Sequence, residues 1–288
     1  MKKSIRFIIN PISGIGKKNI LPKLIQKYLD HKVFTHDIVF TEHRGHARAL
    51  SKTAADEGVN IVCIAGGDGS VNEAGTALVG TNTSLAILPT GSGNGIARHL
   101  GLSLKLKKVI QRINEQQFDF VDTVTINDRK GIGVSGFGFD ALIAKRFDEY
   151  HTRGFLSYIK LVLKEFRNYE AISVVLNDKD EYKNLLFCSV ANTSQFGNGF
   201  YISPETNMKD GQFEIVIVEL PPTMAFIGLL LASVRGTVHK SKYVTLIQTS
   251  EAQIKVKNNA AHIDGEPVNL KDLSIQLKCK PASLSVVV

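Results

Sequence analysis

The sequence contains no tryptophan, and only three cysteines and three methionines among 288 residues. It also lacks any run of about 18 apolar residues, the length a helix needs to cross a bilayer. The cysteines, Cys63, Cys188 and Cys279, stand far apart in apolar, strand-like surroundings without paired metal-ligand spacing. They read as buried free thiols of a reducing cytosol. Met1-Lys2-Lys3-Ser4 leads straight into a strand-like run and carries no signal-peptide cleavage pattern, so the expected location is cytoplasmic. The net charge of +8 calls for an anionic partner or for none. Without tryptophan, and without basic residues interleaved with aromatics, no nucleic acid is expected. An anionic membrane surface or an anionic substrate accounts for the charge, as does solubility alone.

Two catalytic signatures are missing as well. Asn10-Pro11-Ile12-Ser13-Gly14-Ile15-Gly16-Lys17-Lys18 looks superficially like a P-loop, but Pro11 replaces its first glycine and Lys18 its Ser or Thr. It remains a Gly- and Ser-rich turn whose amides and hydroxyl could meet a phosphate. No Gly-x-Ser-x-Gly elbow occurs, so a serine hydrolase of that kind is not expected.

What is present is the composition of a globular protein, 43% hydrophobic and 22% charged, on a chain long enough for one large domain or two. Ile61-Val62-Cys63-Ile64-Ala65 is a short apolar run suited to a buried strand. Gly66-Gly67-Asp68-Gly69-Ser70 follows, with glycines that let a backbone approach a ligand and a carboxylate placed where a metal ion could sit. Ser70 is expected to cap a helix from Val71 to Val79, and a helix N-terminus attracts phosphate. An ordinary βα turn is the alternative.

Strands at Ser4–Ile9, His36–Thr41, Ile61–Ala65 and Ser84–Leu88 alternate with helical segments at Ile20–Leu29, Arg44–Glu57, after Ser70 and from about Ile96. That alternation predicts right-handed crossovers and a parallel sheet. Gly-rich loops at 10–16, 66–69 and 91–95 each follow a strand end and should converge on one site. After about Asp122 the texture changes to many strand-like runs separated by Asn and Asp turns. The expected architecture is therefore an α/β domain over 1–121 and a mostly antiparallel β-sandwich domain over 122–288, whose last residues could return to the first. Two helical pieces, Thr152–Tyr169 and Met224–Val234, interrupt the second domain. Each sets an apolar face beside basic residues, Lys160, Lys164 and Arg167 in one, His239, Lys240 and Lys242 after the other. Core packing explains them, and so does a lipid-accepting groove or interfacial patch.

Two further acidic sites stand out. Asp210-Gly211 is a turn signal, and Asp210 with loop carbonyls would suit a hard ion such as Mg²⁺. In His262-Ile263-Asp264-Gly265-Glu266, an extended backbone would point Asp264 and Glu266 to the same side, as an acid–base pair or as solvated hairpin acids.

Taken together, Asn10-Pro11 with Ser13-Gly14, Gly66-Gly67-Asp68-Gly69, the Pro89–Asn94 loop, Asp210-Gly211 and Asp264-Gly265-Glu266 resemble the diacylglycerol kinase catalytic-domain family, with its sphingosine and bacterial lipid kinases. The resemblance covers nearly the whole chain and implies an NAD kinase/diacylglycerol kinase-like fold. It implies an ATP- and Mg²⁺-dependent lipid kinase, with a lipid alcohol as partner and transient peripheral membrane contact; a homodimer is compatible with it. Carried over, Asn10, Pro11, Ser13, Gly14, Thr41, Gly66, Gly67, Asp68, Gly69, Ser70, Asn72, Thr90 and Asn94 would contact the nucleotide. Asp68 would organise catalytic Mg²⁺, Asp210 with Asn207 and Gln212 a structural Mg²⁺, and Asp264 or Glu266 would be the general base. Gly95 stands where many bacterial relatives carry an acid, and the Gly91-Ser92-Gly93-Asn94 form of the loop looks more like the sphingosine-kinase branch. A long-chain base, a dinucleotide acceptor and a non-catalytic nucleotide-binding regulator stay open as alternatives to a diacylglycerol-like acceptor.

Overall fold

A computed structural model describes residues 2–13, 19–149 and 155–288. The chain divides into two compact units: unit 1 comprises Met1–Val121 and Ala282–Val288, and unit 2 comprises Asp122–Pro281.

Unit 1 runs β1 (Lys3–Ile9), α1 (Leu21–Tyr28), β2 (Phe34–Phe40), α2 (His46–Asp56), β3 (Ile61–Gly66), α3 (Asp68–Leu78), β4 (Ser84–Pro89), α4 (Gly95–His99) and α5 (Leu106–Glu115). The strands pair in parallel in the order β2-β1-β3-β4. Every residue of β3 and β4 is buried, as central strands covered on both faces require. Leu21, Ile25, Val109, Ile110 and Ile113 bring α1 and α5 onto one core with Phe7, Cys63 and Leu88. The helix α5 was not among the expected elements, although Leu106, Val109, Ile110 and Ile113 recur at helical spacing. Because β1 lies between β2 and β3, the winding reverses between β1 and β3. Ligands of such sheets bind at that switch point, beyond the strand C-ends.

Unit 2 contains most of β5 (Phe118–Ile126), then β6 (Arg129–Gly131), β7 (Val134–Gly138), α6 (Phe139–Glu149), α7 (Phe155–Phe166), β8 (Ile172–Leu176) and β9 (Asp180–Ala191). There follow β10 (Gln195–Gly197), β11 (Phe200–Tyr201), β12 (Phe213–Glu219), α8 (Thr223–Val234), β13 (Val244–Thr249), β14 (Glu251–Val256), β15 (Ala260–Ile263), β16 (Glu266–Asn269) and the first part of β17 (Ser274–Val287). Its pairings are antiparallel in the order β16-β15-β7-β9-β8-β14-β17. The long β9 joins β8 along its first half and β7 along its second, and β12 lies on its other edge. The sheet encloses one core, with Phe137, Cys188, Phe213, Ile254 and Ile275, while α6, α7 and α8 cover a second core with Phe139, Phe166, Val216 and Phe226. Here α6 is an unexpected third helix, beginning directly from β7. Residues 152–154 of the expected Thr152–Tyr169 helix lie outside the described residues.

Candidate active site

The glycine loops of unit 1 meet at the ends of β1, β3 and β4. Asn10 donates from Nδ2 to Ser70 Oγ at 2.9 Å and accepts at Oδ1 from Ile12 N at 3.0 Å. Thr90 Oγ1 donates to Ser13 Oγ at 3.0 Å. Thr41 N bonds to Ile9 O at the end of β1, and the amides of Thr90 and Gly91 both bond to Gly66 O. The backbones of the second and third loops touch: a Cβ on Gly91 would overlap Gly67 Cα and stand 3.0 Å from Asn94 Oδ1. Of the expected nucleotide contacts, Asn10, Pro11, Ser13, Thr41, Gly66–Asn72, Thr90 and Asn94 therefore belong to this one end of the sheet. Gly14 lies outside the described residues.

Two details differ from the sequence reading. The helix after β3 starts at Asp68, not Val71, because Gly67 is extended (φ −93°, ψ −173°) and an acid in the first turn suits the helix dipole. Ser70 is thus inside α3 and not its cap; among the described residues no side chain caps this helix. Asp68 Oδ1 instead accepts from Ile96 N at 3.1 Å, so the carboxylate of one helix serves the first turn of α4. Burial pushes the Asp68 carboxyl up, partly offset by backbone amides of Gly95, Ile96, Asp68 and Asn94. Asn94 sits in the left-handed region at φ +51°, and its buried Oδ1 has no partner among the described residues. An orphaned buried acceptor beside the uncapped start of α3 is the kind of group a donor-bearing guest satisfies.

In unit 2 the expected acid pair is rearranged. Asp264 (φ +51°) and Gly265 (φ +82°) are the two central residues of the β15–β16 hairpin, with Ile263 opposite Glu266. The backbone is the hairpin of the alternative reading and not an extended strand, so the two acids do not share one side of a strand. Asp264 is buried; Oδ2 accepts from Ile132 N at 2.8 Å and Oδ1 from Gly133 N at 2.7 Å. Glu266 opens β16 and is half-buried.

The expected structural metal site is not a preformed cage. Asp210 is exposed, and its oxygens accept from Gln212 N at 3.0 Å and Gln248 Nε2 at 2.9 Å. Asn207 Oδ1 accepts from Lys209 N, and Gly211 N donates to the buried Asp122 at 2.7 Å. No group of three His, Cys, Asp or Glu able to hold a metal occurs among the described residues. Asp210 is thus a single exposed carboxylate, tied into its turn by Gln212 N and Gln248 Nε2.

Sequence reasoning missed a cavity of about 90 Å³ in unit 2. Phe139, Ile143, Val162, Phe196, Phe226 and Leu229 line it, and Asp140 is its acidic member. Phe166 stacks on Phe226 with ring centroids 3.7 Å apart. The α8 helix gives Phe226 and Leu229 to this interior and leaves Met224, Ile227, Leu231 and Val234 exposed on the outside. The three cysteines are free and buried; burial raises the thiols, Cys279 to about 11, so none is poised as a nucleophile. No helix among the described residues is long and apolar enough to cross a membrane.

A parallel α/β unit followed by a mostly antiparallel β unit is the plan of the diacylglycerol and NAD kinases. A diacylglycerol kinase crystal structure from Bacillus anthracis matches with TM-score 0.75 at 18% identity, covering 99% of this chain and 96% of that one. An NAD kinase from Archaeoglobus fulgidus, in complex with ATP, matches with TM-score 0.54 at 10% identity, over 99% and 93%; these structural likenesses concern the fold. Residues 4–126 match the diacylglycerol kinase catalytic domain and residues 133–288 the YegS C-terminal NAD kinase beta sandwich-like domain. A Mycobacterium tuberculosis protein named diacylglycerol kinase is 27% identical, over 97% of this chain and 93% of its own. The chain belongs to the diacylglycerol kinase family of lipid kinases.

Proposed function

We propose that this protein transfers the γ-phosphoryl group of Mg·ATP to the hydroxyl of a lipid alcohol, diacylglycerol-like in kind. The observation that carries the lipid reading is the apolar cavity under α6, α7 and α8, an environment that accepts a hydrocarbon chain and not a dinucleotide. The donor reading is supported by the convergence of Asn10, Ser13, Gly67, Gly91 and Thr90 beside the uncapped start of α3. Mg²⁺ enters with the nucleotide, since it keeps waters and phosphate oxygens as ligands and needs no all-protein cage. Phosphoryl transfer through a loose transition state asks mainly for positioning and charge neutralisation, which glycine-lined amides and a helix dipole supply.

Glu266 is the general base in this reading. Asp264 already spends both oxygens on the amides of Ile132 and Gly133, so its part is to anchor the turn that carries Glu266. The exposed stripe Met224, Ile227, Leu231 and Val234, with Arg235, Lys240 and Lys242 exposed nearby in sequence, supports transient contact with an anionic membrane.

The test is transfer from labelled ATP to diacylglycerols, long-chain bases and dinucleotides side by side. Diacylglycerol is expected to be the preferred acceptor. Preference for a long-chain base would move the protein to the sphingosine-kinase branch. Transfer solely to a dinucleotide would overturn the lipid reading, and ATP binding without turnover would favour a regulator.

A further inference from the structure

Ser189, Gly136 and His262 stand side by side on the hydrogen-bonded strands β9, β7 and β15. Gly136 has no side chain, and the carboxylate of Asp140 occupies the gap. A Cβ at position 136 would lie 2.7 Å from Ser189 Oγ and 2.9 Å from Asp140 Cγ. Seated there, Asp140 Oδ2 accepts hydrogen bonds from Ser189 Oγ and, at 3.1 Å, from His262 Nε2. The side chains of His262 and Asp140 are 3% and 6% exposed. Taking such a pair out of water costs free energy, and a hydrocarbon in its place would pack without that cost.

The other imidazole nitrogen explains what the pair can do. His262 Nδ1 accepts from Gly265 N at 3.1 Å. A backbone amide only donates, so Nδ1 holds no proton and Nε2 carries it toward Asp140. The carboxylate selects the tautomer, and the tautomer supplies the acceptor that Gly265 needs. Gly265 is the turn residue between Asp264 and Glu266. Asp140 also lines the apolar cavity, so one residue both borders the cavity and bonds to His262.

We propose that His262 is a positioning residue for phosphoryl transfer, holding Glu266 in place through its Nδ1 bond to Gly265, with Asp140 setting the tautomer that leaves Nδ1 free to accept that bond. This rests on the lipid kinase reading above. It makes Ser189, Gly136, Asp140 and His262 one unit, with Gly136 providing the room and Ser189 the second anchor for the carboxylate.

Two substitutions separate positioning from packing. His262→Asn keeps an acceptor near the Nδ1 position but cannot reach Asp140, whereas His262→Gln reaches toward Asp140 but presents no acceptor to Gly265. In the lipid assay, His262→Gln is expected to lower kcat about tenfold or more, the scale of a misplaced reacting group, with KM for Mg·ATP unchanged. His262→Asn is expected to retain most of kcat. A Gln variant as active as the Asn variant would overturn the proposal, as would a change confined to the KM for Mg·ATP.

A second measurement needs no variant to fold. In ¹⁵N-histidine-labelled wild-type protein, the His262 signals should report an unprotonated Nδ1 and a protonated Nε2; a proton on Nδ1 overturns the proposal. A wild-type protein that phosphorylates no lipid overturns the functional reading and this proposal with it. An active wild type with indistinguishable Asn and Gln variants overturns the proposal alone.

Discussion

The backbones of Gly67 and Gly91 pass so close that neither loop tolerates a side chain at position 91: its Cβ would overlap the Cα of Gly67. Backbone contact of this kind cannot be relieved by a rotamer change. Gly91→Ala is therefore expected to push the β3 and β4 loops apart and lower Mg·ATP affinity, with a stability loss of about 1–3 kcal/mol from overpacking. Titration calorimetry with nucleotide and a thermal melt measure both. Unaltered affinity would mean that the approach of the two loops is not part of the nucleotide site.

Asp68 carries an uncomfortable charge, since burial raises its carboxyl despite the amide of Ile96 and its neighbours. A carboxyl raised on folding binds a proton more readily folded than unfolded. Its charge therefore weakens the fold above the folded value, and the penalty fades as pH falls through that value. Asp68→Asn should hold or raise Tm at neutral pH while lowering turnover about 100-fold or more, the scale of a lost electrostatic element. A variant that melts well below the wild type would make the carboxylate chiefly a structural cap for α4.

The two acids of the hairpin should respond differently. Glu266→Gln is expected to cost about 100-fold or more in kcat with Tm unchanged, as loss of a general base does. Asp264→Asn leaves one amide of Ile132 or Gly133 facing an NH₂ group in a buried place, so it should cost about 1–3 kcal/mol of stability. Its activity should fall about 100-fold as well, because the turn that carries the base is loosened. Full activity of Glu266→Gln would return the base to Asp264.

Membrane contact has its own readout. Binding to vesicles containing anionic lipid should weaken as salt rises, since exposed charges are screened beyond about 10 Å at 0.1 M ionic strength. Met224→Glu combined with Ile227→Glu should abolish it without touching Phe226 or Leu229, which face the cavity. Binding that ignores both salt and these substitutions would place the membrane contact on another surface.

The sequence made the strand-end glycine loops legible because their information is local. A buried run such as Ile61–Ala65, followed by residues without a Cβ, says where a central strand ends and its backbone can approach a neighbouring loop. Asp264 was legible as a hairpin acid but not as a buried one, since the amides of Ile132 and Gly133 that donate to its carboxylate lie far along the chain. The helix α6 was hidden for a related reason. Gly136-Phe137-Gly138 continues the strand pattern up to Phe139, and no cap announces the change. His262 is a buried histidine, and its tie to Asp140 spans 122 positions and leaves no periodic trace. The cavity too is assembled from α6, α7, α8 and β12, so no single stretch of sequence encodes it.

Residues Ala282–Val288 belong to unit 1, although all of unit 2 precedes them in the chain. Val286 lies opposite Leu85 on β4, Ser285 Oγ is 2.8 Å from Ser84 Oγ, Gly80 N donates to Ser283 O, and Arg112 Nε donates to Val288 O. During synthesis, then, the parallel sheet of unit 1 lacks its last partner on the β4 edge while an entire second unit is made. Such an edge is a template for wrong pairing. The cell meets this chain for some time as a half-closed sheet, and a fragment ending near Val121 would stay in that condition permanently.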